Sequence, residues 1–501
     1  MALPWVVLTD PFETQDILLR RTKEFDRSGF FGDLINGILP EQHIQFLSTD
    51  ERFKRNRNLI NHLMAPTFIS QVSAPEVYLS TLSLIELWKL KCDFAQGRPF
   101  FAHNDITALA LDSIFASTFG LPSRESNMHH RHQMMQQYGF DNYSRLAFER
   151  PDSEKNEIME FPETPEVPEI FSAVLTLANS VTDTQLSPAP RLTSWVIRKF
   201  PYMRKATAIK DAYIRRKTDE CIALIEKGDR DSAQPRSALH SVLLRERDVA
   251  AKEGRAPTYR RRGIADEFFG FMTAGFDTSA TTLAWGVKNM ADNQRVQGKL
   301  RKELRAALPD ALKEERCPTY SELLSIHVPY LDAVVEEVLR HANTIAFVVR
   351  RAQVDTTVLG RHIPKGTDVF LMANGPGYLE PNIPVSDAER SAGAREGKTL
   401  TGKWEDADTG AFRPERWLKT DGNTGEVTFD SKAGPTLPFG LGPRACFGKR
   451  LALQELKLQF ALLVWHFELR ECPESLSGYD AVQKFAREPT SCYVRLSKVF
   501  S

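Results

Sequence analysis

The sequence predicts a mainly α-helical fold with a small β portion gathered at one side. Two observations carry this. Apolar residues recur at 3.6-residue spacing through most of residues 12–341, whereas short strand-like runs cluster after residue 344. A third observation concerns organisation: no stretch has the length or composition of an interdomain linker, so residues 1–501 read as one domain.

In chain order, Trp5–Leu8 (WVVL) reads as a strand ended by the turn Thr9-Asp10-Pro11. Phe12–Phe25 has helical spacing of Ile17, Leu18 and Phe25, with Asp10-Pro11 as its start signal. Similar patterns predict helices over 76–95, 104–119, 169–183, 205–227, 263–293, 294–307 and 329–341. Strand-like pieces follow at Ile345–Arg350, Thr356–Leu359, Asp368–Leu371 and Cys492–Leu496. Three polar segments read as surface loops: the acidic, proline-rich 149–169, the connector 227–237 and the glycine-containing 386–411.

Composition narrows the function classes. The 65 basic and 65 acidic residues balance, which gives no support to a nucleic-acid binder. The six cysteines are scattered without a CxxC pair, as suits a reducing compartment rather than a disulfide framework. No run approaches the ~18 apolar residues of a membrane-spanning helix. The opening MALPWVVLTDPF lacks the basic region and cleavage pattern of a signal peptide.

Chemistry concentrates in PFGLGPRACFGKR, residues 438–450. Gly440, Gly442 and Pro443 punctuate the approach to Cys446, and Gly448 follows it. The spacing of Leu456, Phe460, Leu463 and Phe467 then marks a buried helix. A cysteine just ahead of a helix N-terminus meets backbone N–H groups that favour thiolate. Glycines allow close approach of a planar ligand. Arg444 is placed to pair with a carboxylate of that ligand and Phe439 to cover its face. Most lone cysteines are buried small hydrophobes. The pattern F-G-x-G-x-R-x-C-x-G, however, fixes six positions, and at roughly 5% per residue type a chance match is on the order of 10⁻⁵.

FGLGPRACFG resembles the haem-binding signature of the cytochrome P-450 haem-thiolate monooxygenases. The resemblance implies the fold of that family, with Cys446 as the axial ligand of a haem b iron and Arg444 paired with a haem propionate. Further motifs agree in order. AGFDTS (274–279) is similar to the family's oxygen-activation motif: Ala274 and Gly275 leave room on a helix face, and Thr278 can bond back to the carbonyl of residue 274, opening the helix locally. There Asp277 and Thr278 would relay protons to dioxygen. Glu337 and Arg340, three apart on a helix, match the family's ExxR, which Arg416 of FRPERW would complete in a structural role, locking the cysteine loop. ERFKRNRNLINHLMAPTF (51–68) resembles the helix that carries a Trp-x-x-x-Arg pair to the propionates; Phe53 replaces the tryptophan, so only Arg57 carries over. Arg350 is the remaining propionate candidate, with Arg351 the alternative.

The resemblance, similar in style to fungal secondary-metabolism members, runs from Trp5 to Leu496. The membrane anchor, hinge and first helix of microsomal members do not precede it, and HANT stands where a proline often follows the ExxR helix. It implies insertion of one oxygen atom into a lipophilic substrate, with electrons from NADPH through a separate reductase, and cytochrome b5 as an optional second donor. Lys449, Arg450 and Lys457 are candidates for the docking face. Substrate contacts are expected from Phe30–Ile44, Phe268–Phe276 and Thr344–Val348. The family implies the cytosolic side of the endoplasmic reticulum; the sequence as given reads as soluble or peripheral. Two alternatives stay open: a reductase-independent haem-thiolate isomerase or dehydratase, and a silent haem-binding protein.

Overall fold

The computed structural model describes residues 5–141, 156–163, 166–185, 187–227 and 235–500. The acidic segment 149–169 and the connector 227–237 lie partly outside them.

Strand β1 (Val6–Leu8) begins the chain's described part, and helix α1 (Pro11–Leu19) follows, capped by the Asp10 carboxylate, which accepts from Glu13 N at 2.8 Å. The helix expected to reach Phe25 stops at Leu19. Arg21 turns its guanidinium to Glu13 and Glu24, and Phe25 belongs instead to strand β2 (Phe25–Arg27). Next come α2 (Gly29–Ile35), α3 (Glu51–Ile60), α4 (Ala74–Ala95), strand β3 (Phe100–Phe101) and α5 (His103–Phe119). Helices α6 (Glu169–Gln185), α7 (Pro190–Ile197) and α8 (Pro201–Lys227) lead to α9 (Arg262–Asp292), the longest described helix at 31 residues.

Helix α10 (Pro329–Ala342) carries Glu337 and Arg340. Strands β4 (Phe347–Ala352) and β5 (Asp368–Met372) then build a four-stranded sheet in the order β1-β5-β4-β2. In it β1 runs parallel to β5, whereas β2 and β5 each run antiparallel to β4. The predicted loop 386–411 holds a helix, α11 (Ala392–Leu400). Ser391 caps it by accepting from Ala394 N at 3.0 Å, and binds Asp16 of α1 at 2.7 Å. Helix α12 (Lys449–His466) continues into β6 (Phe467–Arg470), which pairs with the C-terminal strand β9 (Tyr493–Lys498); a hairpin of β7 (Ala481–Gln483) and β8 (Arg487–Pro489) lies between them.

The core is helix on helix: α4 against α5, α5 against α9, and α12 against α4 and α10. Gly286 of α9 marks the tightest approach. A Cβ there would lie 2.1 Å from the Phe460 ring and 3.1 Å from Val338, so only glycine lets α9, α10 and α12 meet. That meeting brings the oxygen-motif helix, the ExxR helix and the cysteine helix together. The six cysteines are all free, and no helix among the described residues is long and apolar enough to cross a membrane.

Candidate active site

Ahead of α12 the chain folds into a tight loop, closed by the Cys446 N–H donating to the Phe439 carbonyl at 2.7 Å. Gly440 and Gly442 have φ of 61° and 70°, which few other residues adopt. A Cβ on Gly442 would lie 2.0 Å from the Leu18 carbonyl. This glycine therefore serves loop packing on α1, not the ligand approach expected of it. Cys446 is exposed to a cavity of about 250 Å³ while lying deep beneath protein atoms. Burial raises its thiol above the ordinary value, opposed by the N–H groups of Gly448 and Lys449 and the charge of Arg57. In the chain alone, burial outweighs the helix N-terminus that was expected to favour thiolate.

Helix α9 forms another wall of this cavity through Gly270, Ala274, Gly275 and Thr278. The Thr278 hydroxyl donates to the Ala274 carbonyl at 2.7 Å, the bond expected from the motif. The helix carrying this bond is continuous from Arg262 to Asp292. Gly275 packs against α5, where a Cβ would come within 2.8 Å of Ile114. Asp277 faces a second compartment of about 150 Å³, which shares Gln42, Ile44, Gly270 and Ala274 with the first. Burial, then the Glu488 carboxylate, push Asp277 up to about 6, with Lys484 working against them. Lys484 is paired with Glu488 on the β7–β8 hairpin.

At one side of the cavity lie arginines in excess of any partner. Strand pairing sets Arg27 directly opposite Arg350, a like-charge pair that is destabilising on its own. Arg444 adds a third charge. Arg27 Nε and Nη2 and Arg444 Nη1 are buried without a hydrogen bond. The adjacent Asp26 already accepts from Ser48 N at 2.9 Å and Ser48 Oγ at 2.7 Å. Burial and the neighbouring guanidiniums hold Arg27 well below the usual arginine range, and burial brings Arg350 and Arg444 down to about 10. Arg27, which carried no motif in the sequence, thus joins the predicted set. Arg444 and Arg57 line the main cavity as expected; Arg350 lines an adjoining hollow that Arg444 shares. Arg351 is consumed by Asp368 at 2.7 and 2.9 Å, which removes it as the alternative. Phe53, in place of a tryptophan, carries Arg444 over its ring at 4.2 Å, and Arg57 lies over Phe447 at 4.8 Å. Phe439 is on the cavity wall.

Glu337 is fully buried and accepts from Arg340 Nε at 2.9 Å and Nη2 at 2.7 Å, Arg416 Nε at 3.1 Å, Arg413 N at 2.8 Å and Trp417 Nε1 at 2.8 Å. Burial alone would raise its carboxyl; the hydrogen bonds from Arg340 and His341 and the Arg340 charge hold it well below the carboxylate range. The three predicted residues therefore meet, but their bonds reach residues 378 and 408–417 rather than the cysteine loop itself. Trp404 links the two: Arg340 and Arg416 lie over its ring at 5.4 and 5.3 Å, and its indole N–H donates to the Pro435 carbonyl at 2.9 Å.

The donor set fits a haem. Among the described residues no group of three or more His, Cys, Asp or Glu converges to hold a bare ion. One cysteine thus suits a metal whose other ligands come from a macrocycle. The orphaned guanidinium nitrogens suit that macrocycle's carboxylates. Of the expected substrate segments, the second compartment takes Ile35, Ile38, Leu39 and Ile44 from the first and Thr273 and Phe276 from the second. Phe268 is core, 6.3 Å from the Phe119 ring. Thr344 hydrogen-bonds Thr282 at 3.1 Å, and Phe347 packs among Phe30, Phe31 and Phe370; neither lines the two compartments. Their place is taken by α6, through Leu175, Ala178 and Val181, and by Phe485 of the hairpin.

The cytochrome P450 family model matches residues 2–378 and 403–490. The chain is 36% identical to the cytochrome P450 monooxygenase TRI13 of Fusarium sporotrichioides, over 99% of this chain and 86% of that protein. It is 32% identical to the cytochrome P450 monooxygenase xilC of Penicillium crustosum, over 100% and 84%. The crystal structure of the cytochrome P450DA heme domain superposes with a TM-score of 0.66 at 17% identity, covering 98% of this chain and 87% of that one. With the cysteine, the oxygen-motif helix and the arginine cluster arranged around one cavity, these matches establish that the chain belongs to the cytochrome P450 family and is a monooxygenase.

Proposed function

We propose that this chain, working as one catalytic domain, inserts one atom of O₂ into a lipophilic small molecule in fungal secondary-metabolite biosynthesis, with electrons from NADPH through a separate reductase. The other oxygen atom leaves as water, which takes up two electrons and two protons. A haem b, held through its iron by Cys446, supplies the oxygen chemistry when bound. The remaining tasks fall to the chain. Arg27, Arg57 and Arg444 neutralise the carboxylates of the group, with Arg350 behind them. Phe439 and Phe447 exclude water from the cysteine. Glu337, Arg340 and Arg416 hold the segment that leads into its loop. Asp277 takes up protons on the side of Lys484 and Glu488, and Thr278 places its hydroxyl in the cavity to pass them on.

The observation that carries this reading is that Cys446, Thr278 and the unpaired arginine nitrogens wall one cavity. Lys449 and Arg450 remain for reductase docking; Lys457 is drawn into an ion pair with Asp332. We place the chain peripherally on a lipid surface at the cytosolic side of the endoplasmic reticulum. Leu192, Trp195, Val196, Phe200 and Tyr202 are all more than two-fifths exposed on and after α7, among Arg191, Lys199 and Arg204. The test is reconstitution with NADPH and a fungal reductase, following NADPH consumed, peroxide released and substrate oxidised. Thr278→Ala is expected to keep NADPH consumption while diverting it to peroxide. Equal coupling in both proteins would overturn the role of Thr278, and no substrate-dependent NADPH consumption would overturn the function.

A further inference from the structure

Gln42 stands at the seam of the two compartments and lines both. It is 8% exposed. Its Oε1 accepts from Ile44 N at 3.3 Å, which fixes the orientation of the amide, because a backbone N–H needs an oxygen there. The other end, the Nε2 donor, meets no acceptor among the described residues. Its neighbours in the same turn differ. Gln45 Nε2 donates to the Leu39 carbonyl at 3.1 Å, His43 Nδ1 lies 2.7 Å from Glu267, and Glu41 N donates to Asp266 at 2.8 Å. The side chain is also held from behind by α9. A Cβ on Gly270 would lie 2.6 Å from Nε2 and 2.9 Å from Cδ, so the glycine makes the space in which the amide rests. The residue is buried, its amide is positioned on two sides, and its Nε2 donor opens to the cavity without an acceptor.

We infer that Gln42 determines substrate specificity by donating, from Nε2, to an oxygen acceptor on the substrate at the junction of the two compartments. The substrate is then a lipophile that already bears a carbonyl, ether or hydroxyl oxygen. Its apolar body occupies the second compartment, against Leu39, Leu175, Val181, Phe276 and Phe485. Another part of the skeleton reaches the wall that holds Thr278 and Cys446. The reaction then follows a step that has already placed oxygen on the scaffold. This rests on the monooxygenase reading and deepens it.

The test compares cyclododecanone with cyclododecane, two ring skeletons of equal carbon count that differ in one acceptor oxygen. Equilibrium dialysis against the haem-loaded protein measures binding without electrons or turnover. Gln42→Leu removes the donor at similar volume and is expected to weaken the ketone by about tenfold, while the hydrocarbon stays within about threefold. Gly270→Ala leaves Gln42 in the sequence but displaces its amide, and is expected to produce the same selective loss. Equal effects on both ligands, an unchanged ketone affinity in both variants, or a ketone that binds neither wild type nor variant would overturn the inference. A failed monooxygenase reading appears elsewhere, as absent NADPH consumption in the reconstituted system.

Discussion

Glu455 of α12 is a carboxyl with no cation to offset it. It is 7% exposed, accepts from Gln459 Nε2 at 3.1 Å, and shares a 2.9 Å hydrogen bond with Ser279, the residue after Thr278. Burial pushes it up to about 7, and the two hydrogen bonds only partly oppose this. The sign follows from linkage. A carboxyl raised in the folded state binds its proton more tightly there than in the unfolded chain. Stability from this group is therefore full below about 4.5 and is lost as pH rises to about 7. At about 1.4 kcal/mol per unit, the total loss is about 3 kcal/mol. Glu455→Gln removes the titration and keeps the shape. Gln459 Oε1, now buried without a partner, can accept from the new amide after its own amide rotates. The variant should match wild type near pH 5 and exceed it at pH 8.5 by about 2–3 kcal/mol, or about 3 °C in Tm for a chain of this size. Urea and thermal unfolding of the haem-loaded proteins across that range provide the assay. A difference that does not change with pH, or a variant that loses stability at pH 8.5, would refute the reasoning.

Three further outcomes follow from the same geometry. Glu337→Gln leaves two buried guanidiniums short of a charge and should destabilise the protein by about 3–5 kcal/mol, with haem lost during purification; thermal unfolding and the haem-to-protein ratio check it. Arg27→Leu should act in opposite directions, stabilising the haem-free chain by relieving the Arg27–Arg350 pair while speeding haem transfer to an acceptor globin by about tenfold. Movement of both in the same direction would contradict the assignment. Glu488→Gln removes the carboxylate that helps raise Asp277, so the fall in coupling on the alkaline side should shift lower by roughly half a unit, as a pH series of product formed per NADPH would show.

Local and long-range information divide what was legible. Helices such as Ala74–Ala95 and Arg262–Asp292 follow from apolar spacing within themselves, and the ExxR and cysteine motifs follow from fixed offsets. Arg27 was not legible, because its meaning lies in pairing with Arg350 more than three hundred residues later. Helix Ala392–Leu400 was hidden in a polar, glycine-containing run. Its Ser391 cap is local, but the anchor of that same hydroxyl on Asp16 is tertiary. The role of Gly442 was misassigned for the same reason, since the atom it avoids, the Leu18 carbonyl, is distant in sequence. Gln42 carried no motif; only the fold shows that its amide end is left without a partner. In the third expected substrate segment, Thr344 bonds Thr282 and Phe347 packs on Phe370 away from the two compartments, contacts that composition does not reveal.

The central claim is that Cys446 holds a haem iron as thiolate in this cavity. The most direct measurement is the absorption spectrum of the dithionite-reduced protein with carbon monoxide, for wild type and Cys446→Ser. The account predicts a strongly red-shifted Soret band in wild type that is lost in the variant. A wild-type band at the unshifted position, or a red-shifted band that survives Cys446→Ser, would contradict it.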